Sequence, residues 1–313
     1  MRGLKGKNVL VTGGSSGIGQ AIAVRFAEHG ANVAINYLTS PEEAAGTEEQ
    51  VHACISRLRE KGVRDVLVQG DVSKEQDAVR MVAETAGELG SLDVLINNAG
   101  IQISCPSHEL SQADFEKVLA VNLRGAFLCA RESIKRFLAA GTPGSIINVS
   151  SVHQVIPKPD YLGYSVSKGG MQNLTRTLAL EYAGHNIRVN GIGPGATVTP
   201  INRAWVDDPE KAAQVTRHIP LARAASADEM AGVACFLASD DAAYITGQTI
   251  FVDGGLTLYA DFREPWSSEW ARRTRSNARH ATWRTCGAAA GRRRRHSVAR
   301  GACRRSRDRA LVG

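Results

Sequence analysis

Three side chains suited to proton transfer lie close together in the sequence, at Ser151, Tyr164 and Lys168. Tyr164 and Lys168 are four positions apart in a segment with a helical pattern, so they share one face of the predicted helix. A phenol normally loses its proton near pH ~10, and a neighbouring ammonium group favours the charged phenolate. Tyr164 could therefore take a proton from an alcohol or give one to a carbonyl group, while Ser151 would hydrogen-bond the reacting oxygen.

Asn122 and His153 are further polar candidates near this set. Asn122, in the tetrapeptide NLRG, could orient a water molecule that links Lys168 to solvent. We interpret His153 as a wall of the substrate pocket, because Tyr164 already supplies the acid–base group. A tyrosine and a lysine four positions apart are common on protein surfaces, so a surface pair is the alternative. Their combination with the motifs below argues against it.

A glycine-rich turn follows the first predicted strand, in the segment TGGSSGIG at residues 12–19. Gly13 would let the chain turn off the strand, Gly17 would let a pyrophosphate approach the backbone, and Gly19 would let the next helix pack closely. The helix N-terminus then offers free N–H groups and the positive end of its dipole. We predict a dinucleotide-binding turn, with a purely structural turn as the alternative. The predicted contacts are Gly13, Ser15, Ser16, Gly17, Ile18 and Gly19.

The end of the second predicted strand bears on the choice between NAD and NADP. Sites specific for NAD usually hold the ribose hydroxyls with an acid at this point. The sequence there, NYLTS at residues 36–40, contains no acid, and it also lacks an arginine or lysine for a 2′-phosphate. Asn36, Thr39 and Ser40 could donate hydrogen bonds to either cofactor, so we expect NADP or the use of both.

Two further motifs follow predicted strands, GDV at residues 70–72 and NNAG at residues 97–100. The carboxyl ends of strands are where ligands bind in open parallel sheets. Asp71 could accept a hydrogen bond from an adenine amino group, or it could cap a helix that begins near Ser73. We assign to the cofactor site Asp71, Val72, Asn98, Ala99 and Gly100.

Apolar runs and helical patterns alternate along the chain, which is typical of α/β proteins with a parallel sheet. Several runs are apolar on both faces, as expected when helices cover both sides of the sheet. Seven strands are predicted, at residues 8–12, 32–37, 65–69, 92–97, 145–150, 187–192 and 249–253. Helices are predicted at about residues 17–30, 42–61, 74–90, 111–140, 162–184 and 226–239. We therefore predict one Rossmann-type, doubly wound domain over residues 1–269.

The composition changes abruptly near residue 270. Residues 270–313 hold fourteen arginines and one acid, Asp308, whereas the rest of the chain is mildly acidic. This segment has too few apolar residues to offset its ordering entropy, so we predict a disordered tail. Nucleic-acid binding through the tail is an alternative function. No aromatic platform or recognition fold accompanies the arginines, so we do not expect that partner.

The composition narrows the class of protein. Its 313 residues are 43% hydrophobic, enough for a large core without disulfides or metal. No apolar run approaches the roughly 20 residues of a membrane span, and the N-terminus lacks the apolar stretch of a secretory signal. The six cysteines show no metal-ligand spacing with histidine, so we expect no metal site and free thiols in a reducing cytoplasm.

Over residues 5–262 the chain resembles the short-chain dehydrogenase/reductase family. The resemblance rests on TGGSSGIG, GDVS, NNAG, VNLRG, the Ser151–Tyr164–Lys168 set and the stretch from Pro194 to Thr199. It implies a seven-stranded parallel sheet with helices on both faces, an NAD(P) cofactor and usually a homotetramer. It also implies that residues 196–225 form a mobile segment over the substrate. Residues implied to lie at the nicotinamide end of the cofactor are Ile192, Pro194, Gly195 and Thr199.

Within the family the chain is most similar to the glucose 1-dehydrogenases, through residues 150–182, 190–202 and 251–259. This similarity implies oxidation of β-D-glucose at C1 to the lactone, in a pocket walled by His153 and Pro157. Better-known members carry an acid where this chain has Gln102, and often another where it has Gln154. We include Gln102 among the predicted substrate contacts, with Ser151, His153 and Tyr164. A 3-oxoacyl thioester reductase or another secondary-alcohol dehydrogenase is the alternative.

Overall fold

The computed structural model describes residues 1–38, 45, 46, 49 and 63–258, and in this part the predicted seven-stranded parallel sheet is confirmed. The strand order is β3-β2-β1-β4-β5-β6-β7, so the order reverses between β1 and β4. In such sheets ligands bind at the carboxyl ends of the strands beside this switch point. The strands are β1 (Asn8–Val11), β2 (Asn32–Tyr37), β3 (Asp65–Gln69), β4 (Val94–Asn97), β5 (Gly144–Val149), β6 (Ile187–Pro194) and β7 (Thr249–Val252).

Helices connect the strands in the described part of the chain and lie on both faces of the sheet. Their bounds are α1 (Gly17–Glu28), α2 (Glu75–Leu89), α3 (Gln112–Leu119), α4 (Gly125–Ala140), α5 (Leu162–Tyr182), α6 (Arg203–Val206), α7 (Pro209–Thr216) and α8 (Ala227–Ala238). The helix predicted at residues 42–61 falls largely outside the described residues, and so does the tail predicted to be disordered.

Two apolar cores hold the helices against the sheet. Side chains alternate across a strand, so Val9 and Val11 of β1 enter one core while Leu10 enters the other. The first core contains Phe26 of α1 and residues of α8. The second contains Phe137 of α4 and residues of α2. Burial on both faces explains why the strands are almost continuously apolar.

The predicted helix at residues 111–140 is divided in the structure. A π-helical turn at Ala120–Arg124 separates α3 from α4. Such turns are rare and are often found at functional sites. This turn contains Asn122, whose side chain is completely buried.

Among the described residues, no helix combines the length and the apolar character that crossing a membrane requires. The same residues contain no group of three or more histidine, cysteine or acidic side chains placed to hold a metal ion.

Candidate active site

A cleft of about 700 Å³ opens at the carboxyl ends of β1, β4 and β5. It brings together most of the predicted site residues, which are Gly13, Ser15, Ser16, Gly17, Ile18, Asn36, Asp71, Val72, Asn98, Ala99, Gly100, Gln102, Ser151, Tyr164, Lys168, Pro194, Gly195 and Thr199. The predicted residues Gly19, Asn122, His153, Pro157 and Ile192 lie outside this lining, and Ile192 is buried in the first core. Side chains that are distant in sequence therefore meet at the switch point of the sheet.

The glycine-rich turn has a backbone that requires glycine at two positions. Gly13 and Gly17 have φ angles of +59° and +58°, in the left-handed region that residues with a Cβ rarely adopt. A Cβ on Gly19 would lie 2.3 Å from the carbonyl oxygen of Gly13 and 2.4 Å from Nδ2 of Asn98. Gly19 is therefore needed for contact with the turn itself, whereas we predicted close packing against the sheet.

Thr12 and Asn98 fix the shape of this turn. Asn98 Nδ2 donates hydrogen bonds to the carbonyl oxygens of Thr12, at 3.0 Å, and Gly13, at 2.9 Å. Thr12 Oγ1 accepts from the backbone N–H groups of Asn98, at 2.9 Å, and Ala99, at 3.1 Å. Sequence reasoning missed Thr12, because nothing in its spacing distinguishes it from any other threonine after a strand.

The start of α1 has the features of an anion-binding site. Ser16 precedes the helix with an extended backbone and makes no side-chain hydrogen bond to cap it, and no acid lies in the first turn. Helix-terminal N–H groups have no partner within the helix, and they sit at the positive end of its dipole. The residues present therefore fit the pyrophosphate of a dinucleotide.

Lys168 and Tyr164 lie side by side on α5, as predicted. The Lys168 side chain is buried, and its Nζ donates a hydrogen bond of 2.7 Å to the carbonyl oxygen of Val149. Nζ lies 5.6 Å from the centre of the Tyr164 ring. A hydrogen bond joins the side chains of Ser151 and Tyr164. Ser151, Tyr164 and Lys168 therefore form one cluster in the wall of the cleft.

Burial dominates the acid–base properties of this cluster. It lowers the pKa of Lys168 to about 8, because an ammonium group loses hydration inside the protein. It raises the pKa of Tyr164, and the hydrogen bond from Ser151 offsets only part of that rise. We expected Lys168 to lower the pKa of Tyr164 and so to favour the phenolate. In the protein alone, the pKa of Tyr164 is raised instead. Positive charge added beside Tyr164 would lower its pKa.

The comparisons with known proteins agree with this geometry. A family model described as enoyl-(acyl carrier protein) reductase matches residues 13–257. The chain belongs to the short-chain dehydrogenase/reductase family, a family of oxidoreductases with a Rossmann-type fold. The match spans the glycine-rich turn, the cluster on α5 and the last strand of the sheet.

Three relatives show the range of chemistry around this chain. A glucose 1-dehydrogenase of Gluconobacter oxydans is 52% identical over 84% of this chain and 96% of its own. A 3β-hydroxysteroid dehydrogenase of Eggerthella lenta is 45% identical over 83% of this chain and 97% of its own. A gluconate 5-dehydrogenase of Burkholderia cenocepacia, solved with NADP and tartrate, is 34% identical. It covers 81% of this chain and 96% of its own, with a TM-score of 0.72.

The hydrogen bonds of Asn36 differ from those that we predicted. We expected it to donate hydrogen bonds to the cofactor. Its Nδ2 instead donates to the carbonyl oxygens of Val68, at 3.1 Å, and Gly70, at 3.0 Å, and its Oδ1 accepts from Gly13 N–H at 3.0 Å. With 2% of its surface exposed, Asn36 braces the turn. Thr39 and Ser40, the other predicted donors, lie outside the described residues.

Asp71 lines the cleft, and it does not cap α2 as we considered in the alternative, because Lys74 is the N-cap residue of that helix and no side chain caps it. Its Oδ1 accepts hydrogen bonds from the backbone N–H and the hydroxyl of Ser73, at 2.9 and 2.7 Å. The segment after β3 is thereby fixed before α2 begins at Glu75. Contact with an adenine amino group stays a prediction.

The Asn122 side-chain amide is held by hydrogen bonds to two other parts of the protein. Its Oδ1 accepts from Ile101 N–H at 2.8 Å, and its Nδ2 donates to Ile101 O at 2.9 Å and Ser167 Oγ at 3.0 Å. Ser167 precedes Lys168 on α5. Asn122 therefore connects the loop after β4 to the helix that carries the cluster, and its role in orienting a water molecule stays a prediction.

His153 lies beside Tyr164, with ring centres 6.1 Å apart in an edge-to-face arrangement. Its Nδ1 is 2.9 Å from the carbonyl oxygen of Ile156, which can only accept, so Nδ1 carries the proton. Burial lowers the pKa of His153, which favours the neutral ring. Nε2 is then a hydrogen-bond acceptor, a property that residue type alone does not reveal.

Gln102 and Gln154 stand where better-known members of the family carry acids, and their two amides are bound differently. Gln102 Nε2 donates a hydrogen bond of 3.0 Å to the carbonyl oxygen of Ile201, on the far side of the cleft. Gln154 is buried, and neither of its amide atoms has a hydrogen-bond partner among the described residues. Contact of Gln102 with substrate stays a prediction.

We predict that Gly19→Ala damages the turn. The new methyl group would overlap the Gly13 carbonyl and the Asn98 amide that bind each other, so the free energy of unfolding should fall by about 1–3 kcal/mol. Displacement of the turn should also raise the dissociation constant of NADPH by about 10-fold, or ~1.4 kcal/mol. Urea unfolding and nicotinamide fluorescence measure the two effects.

Gly87→Ala is the matched control for this change. Gly87 lies inside α2, and a Cβ there would meet nothing within 4 Å. Alanine is favoured over glycine in helices, so this variant should be more stable by about 0.5–1 kcal/mol and should bind NADPH as the wild type does. Equal NADPH affinity in both variants would contradict the assignment of the turn.

Proposed function

We propose that this protein is an NAD(P)-dependent dehydrogenase that oxidises an aldose at C1 to the lactone, with β-D-glucose as the first candidate substrate. The observation that carries the proposal is the cluster of Ser151, Tyr164 and Lys168 in the wall of a cleft that begins at a dinucleotide-type turn. The 52% identity to the glucose 1-dehydrogenase of Gluconobacter oxydans supports the choice of sugar.

In this proposal Tyr164 moves the proton and Ser151 positions the substrate. The sugar C1 hydroxyl binds between the Ser151 hydroxyl and the Tyr164 phenol, and Tyr164 in its phenolate form takes the hydroxyl proton. When bound, the oxidised dinucleotide supplies a positively charged ring that accepts the hydride from C1. That charge and the Lys168 ammonium both favour the phenolate, against the effect of burial.

Lys168 has a structural role in addition to supplying charge beside Tyr164. Its hydrogen bond to the carbonyl of Val149 ties α5 to the end of β5 and keeps Nζ near the Tyr164 ring. A pKa near 8 lets the lysine be charged at neutral pH and release its proton only slightly above it. Lys168 therefore supplies positive charge under physiological conditions.

The neutral state of His153 supports a substrate with several hydroxyl groups. A ring protonated at Nδ1 presents Nε2 as an acceptor, and sugar hydroxyls are donors. His153 lies just outside the lining of the cleft but stands edge-on to the Tyr164 ring, so in this proposal its acceptor binds a hydroxyl of a substrate held beside Tyr164. We therefore propose His153 as a substrate-binding residue and not as an acid or base.

Reduction of a 3-oxoacyl thioester is the second candidate function. Gln102 and Gln154 provide amides where carboxylates would accept more sugar hydroxyl groups, and the Gln102 donor is already engaged by Ile201. A 3-oxoacyl-(acyl-carrier-protein) reductase of Staphylococcus aureus is also 38% identical over 80% of this chain and 98% of its own. In that reaction Tyr164 would give its proton to the keto oxygen.

We propose NADP as the preferred cofactor, with NAD also accepted. No acid stands at the end of β2, and Leu38, which follows Tyr37 there, lines the cleft with half of its surface exposed. An acid at this point would repel a 2′-phosphate. The gluconate 5-dehydrogenase relative was solved with NADP.

The predicted homotetramer is supported by apolar side chains that the chain leaves exposed on neighbouring helices. Phe127 and Leu138 of α4, and Val166 and Leu180 of α5, are each more than two-fifths exposed. Exposed apolar patches of this kind often mark interfaces between subunits.

A panel of sugars, alcohols and acyl thioesters with NAD and NADP tests the function. We expect reduction of NADP with β-D-glucose at a kcat/KM at least about 10-fold above that for a simple secondary alcohol. Only the sugar has hydroxyl groups besides the reacting one, and these can bind His153. Formation of the reduced nicotinamide is followed by absorbance. Turnover of an acetoacetyl thioester with NADPH, without any sugar activity, would favour the second candidate.

A further inference from the structure

A long segment after β6, which contributes residues 199–202 to the lining of the cleft, has no buried side chain to hold it down. Thr197 and Ile219 are each only 1% exposed, but no residue between them is buried. We call residues 198–218, which include α6 and α7, the covering strap. Segments with few buried contacts open at low free energy. The closed position of the covering strap must therefore depend on individual polar contacts.

The two ends of the covering strap are anchored to the body of the domain. At one end Val198 N–H donates to the carbonyl of Ala225 at 2.9 Å. Just beyond the other end, Leu221 N–H donates to the carbonyl of Gly254 at 3.1 Å. These bonds fix where the strap starts and finishes, and within its first turn Asn202 Nδ2 donates to the carbonyl of Thr197 at 2.9 Å.

The first turn of the covering strap lies across the glycine-rich turn. A Cβ placed on Gly17 would be 3.5 Å from both Thr199 and Pro200, so these two residues pass directly over it. Ile201 follows, and its carbonyl oxygen accepts the hydrogen bond from Gln102 Nε2. Gln102 stands on the loop after β4, in the other wall of the cleft. This hydrogen bond therefore crosses the mouth of the cleft.

We propose that Gln102 is a positioning residue whose amide holds the covering strap closed and slows the release of the dinucleotide. An amide is required, because the Ile201 carbonyl needs a donor and a carboxylate at the same place would repel it. The same hydrogen bond accounts for an amide at Gln102, which we also predicted as a substrate contact. The part concerning the dinucleotide rests on the proposed function.

Two variants at this position separate the donor from the size of the side chain. Gln102→Glu keeps the length and one acceptor oxygen but loses both donors at neutral pH, and Gln102→Met keeps only the length. Gln112→Met is the matched control, because Gln112 donates a similar bond of 2.7 Å to Glu116 on the exposed surface of α3. Hydrogen–deuterium exchange of residues 199–206 without ligand and the dissociation rate of NADPH are measured for each protein.

Both Gln102 variants should exchange residues 199–206 about 3- to 10-fold faster than the wild type and should release NADPH faster by a similar factor. Exchange in β5 and β6 should not change, which shows that the fold is intact. Wild-type exchange in either Gln102 variant, or faster exchange without faster release, would overturn the proposal. If NADPH does not bind the wild type, the proposed function fails, while the exchange comparison still tests the hydrogen bond.

Discussion

Replacing Tyr164 with phenylalanine is expected to lower kcat/KM for the preferred sugar by roughly 10²- to 10⁴-fold, the usual contribution of a positioned acid–base group. The ring remains and can still pack against His153, which now stands 6.1 Å away. Only the hydroxyl that hydrogen-bonds Ser151 is lost. Because the turn and α1 are untouched, the dissociation constant of NADPH should stay within about 3-fold of wild type.

Tyr182→Phe is the matched control for this prediction. Tyr182 is the last residue of α5 and lies 18 positions after Tyr164, about 27 Å along the same helix. The same hydroxyl is removed from the same element, far from the cleft, so turnover should match the wild type. Steady-state kinetics and NADPH fluorescence are measured on both variants. Near-normal turnover in Tyr164→Phe would exclude Tyr164 as the proton-transfer group.

The sheet was predictable because its strands are buried on both faces. A strand such as β1 sends Val9 and Val11 into one core and Leu10 into the other, so these three residues appear in the sequence as an unbroken apolar run. The site followed from the sheet, since motifs that come after parallel strands meet at one edge. The glycine turn, NNAG and the α5 cluster were therefore expected to line one cleft, and the structure brings them together there.

The partners of the polar side chains were not predictable in the same way. Asn36, Gln102 and Asn122 were each chosen as residues that could face a ligand or a water molecule. In the structure their amides bind backbone groups, and for Gln102 the partner lies 99 positions away. Residue type gives the number of donors and acceptors. Which groups use them depends on tertiary contacts that have no local signal.

The helices of the covering strap were not predictable from the sequence for a different reason. Its helices α6 and α7 bury no residue and are 4 and 8 residues long, shorter than the window of roughly 11 residues in which an apolar helical period becomes visible. Asp208 caps α7 by accepting from the backbone N–H groups of Glu210 and Lys211, and Pro209 opens the helix. These signals specify where the helix starts but reveal nothing about what it covers.

Lys168→Met is expected to lower kcat/KM by about 100-fold or more and to change how stability depends on pH. The unfolded chain keeps the lysine proton up to the ordinary pKa of 10.5, whereas burial lowers the folded pKa to about 8. Between these values the unfolded state binds more protons, so the free energy of unfolding of the wild type rises with pH. Between about pH 7 and 9.5 the gain should be about 2 kcal/mol.

Methionine has no proton to release, so the variant should lack this gain. The free energy of unfolding of the wild type minus that of the variant should therefore rise by about 2 kcal/mol over that range. Urea unfolding at several pH values measures it. Lys135→Met is the matched control, since its ammonium is 61% exposed beside Glu132 on α4, and its stability difference from wild type should stay flat. A flat difference for Lys168→Met as well would mean that burial does not lower the pKa of Lys168. Proton release near pH 8 would then have no part in how the cluster responds to pH.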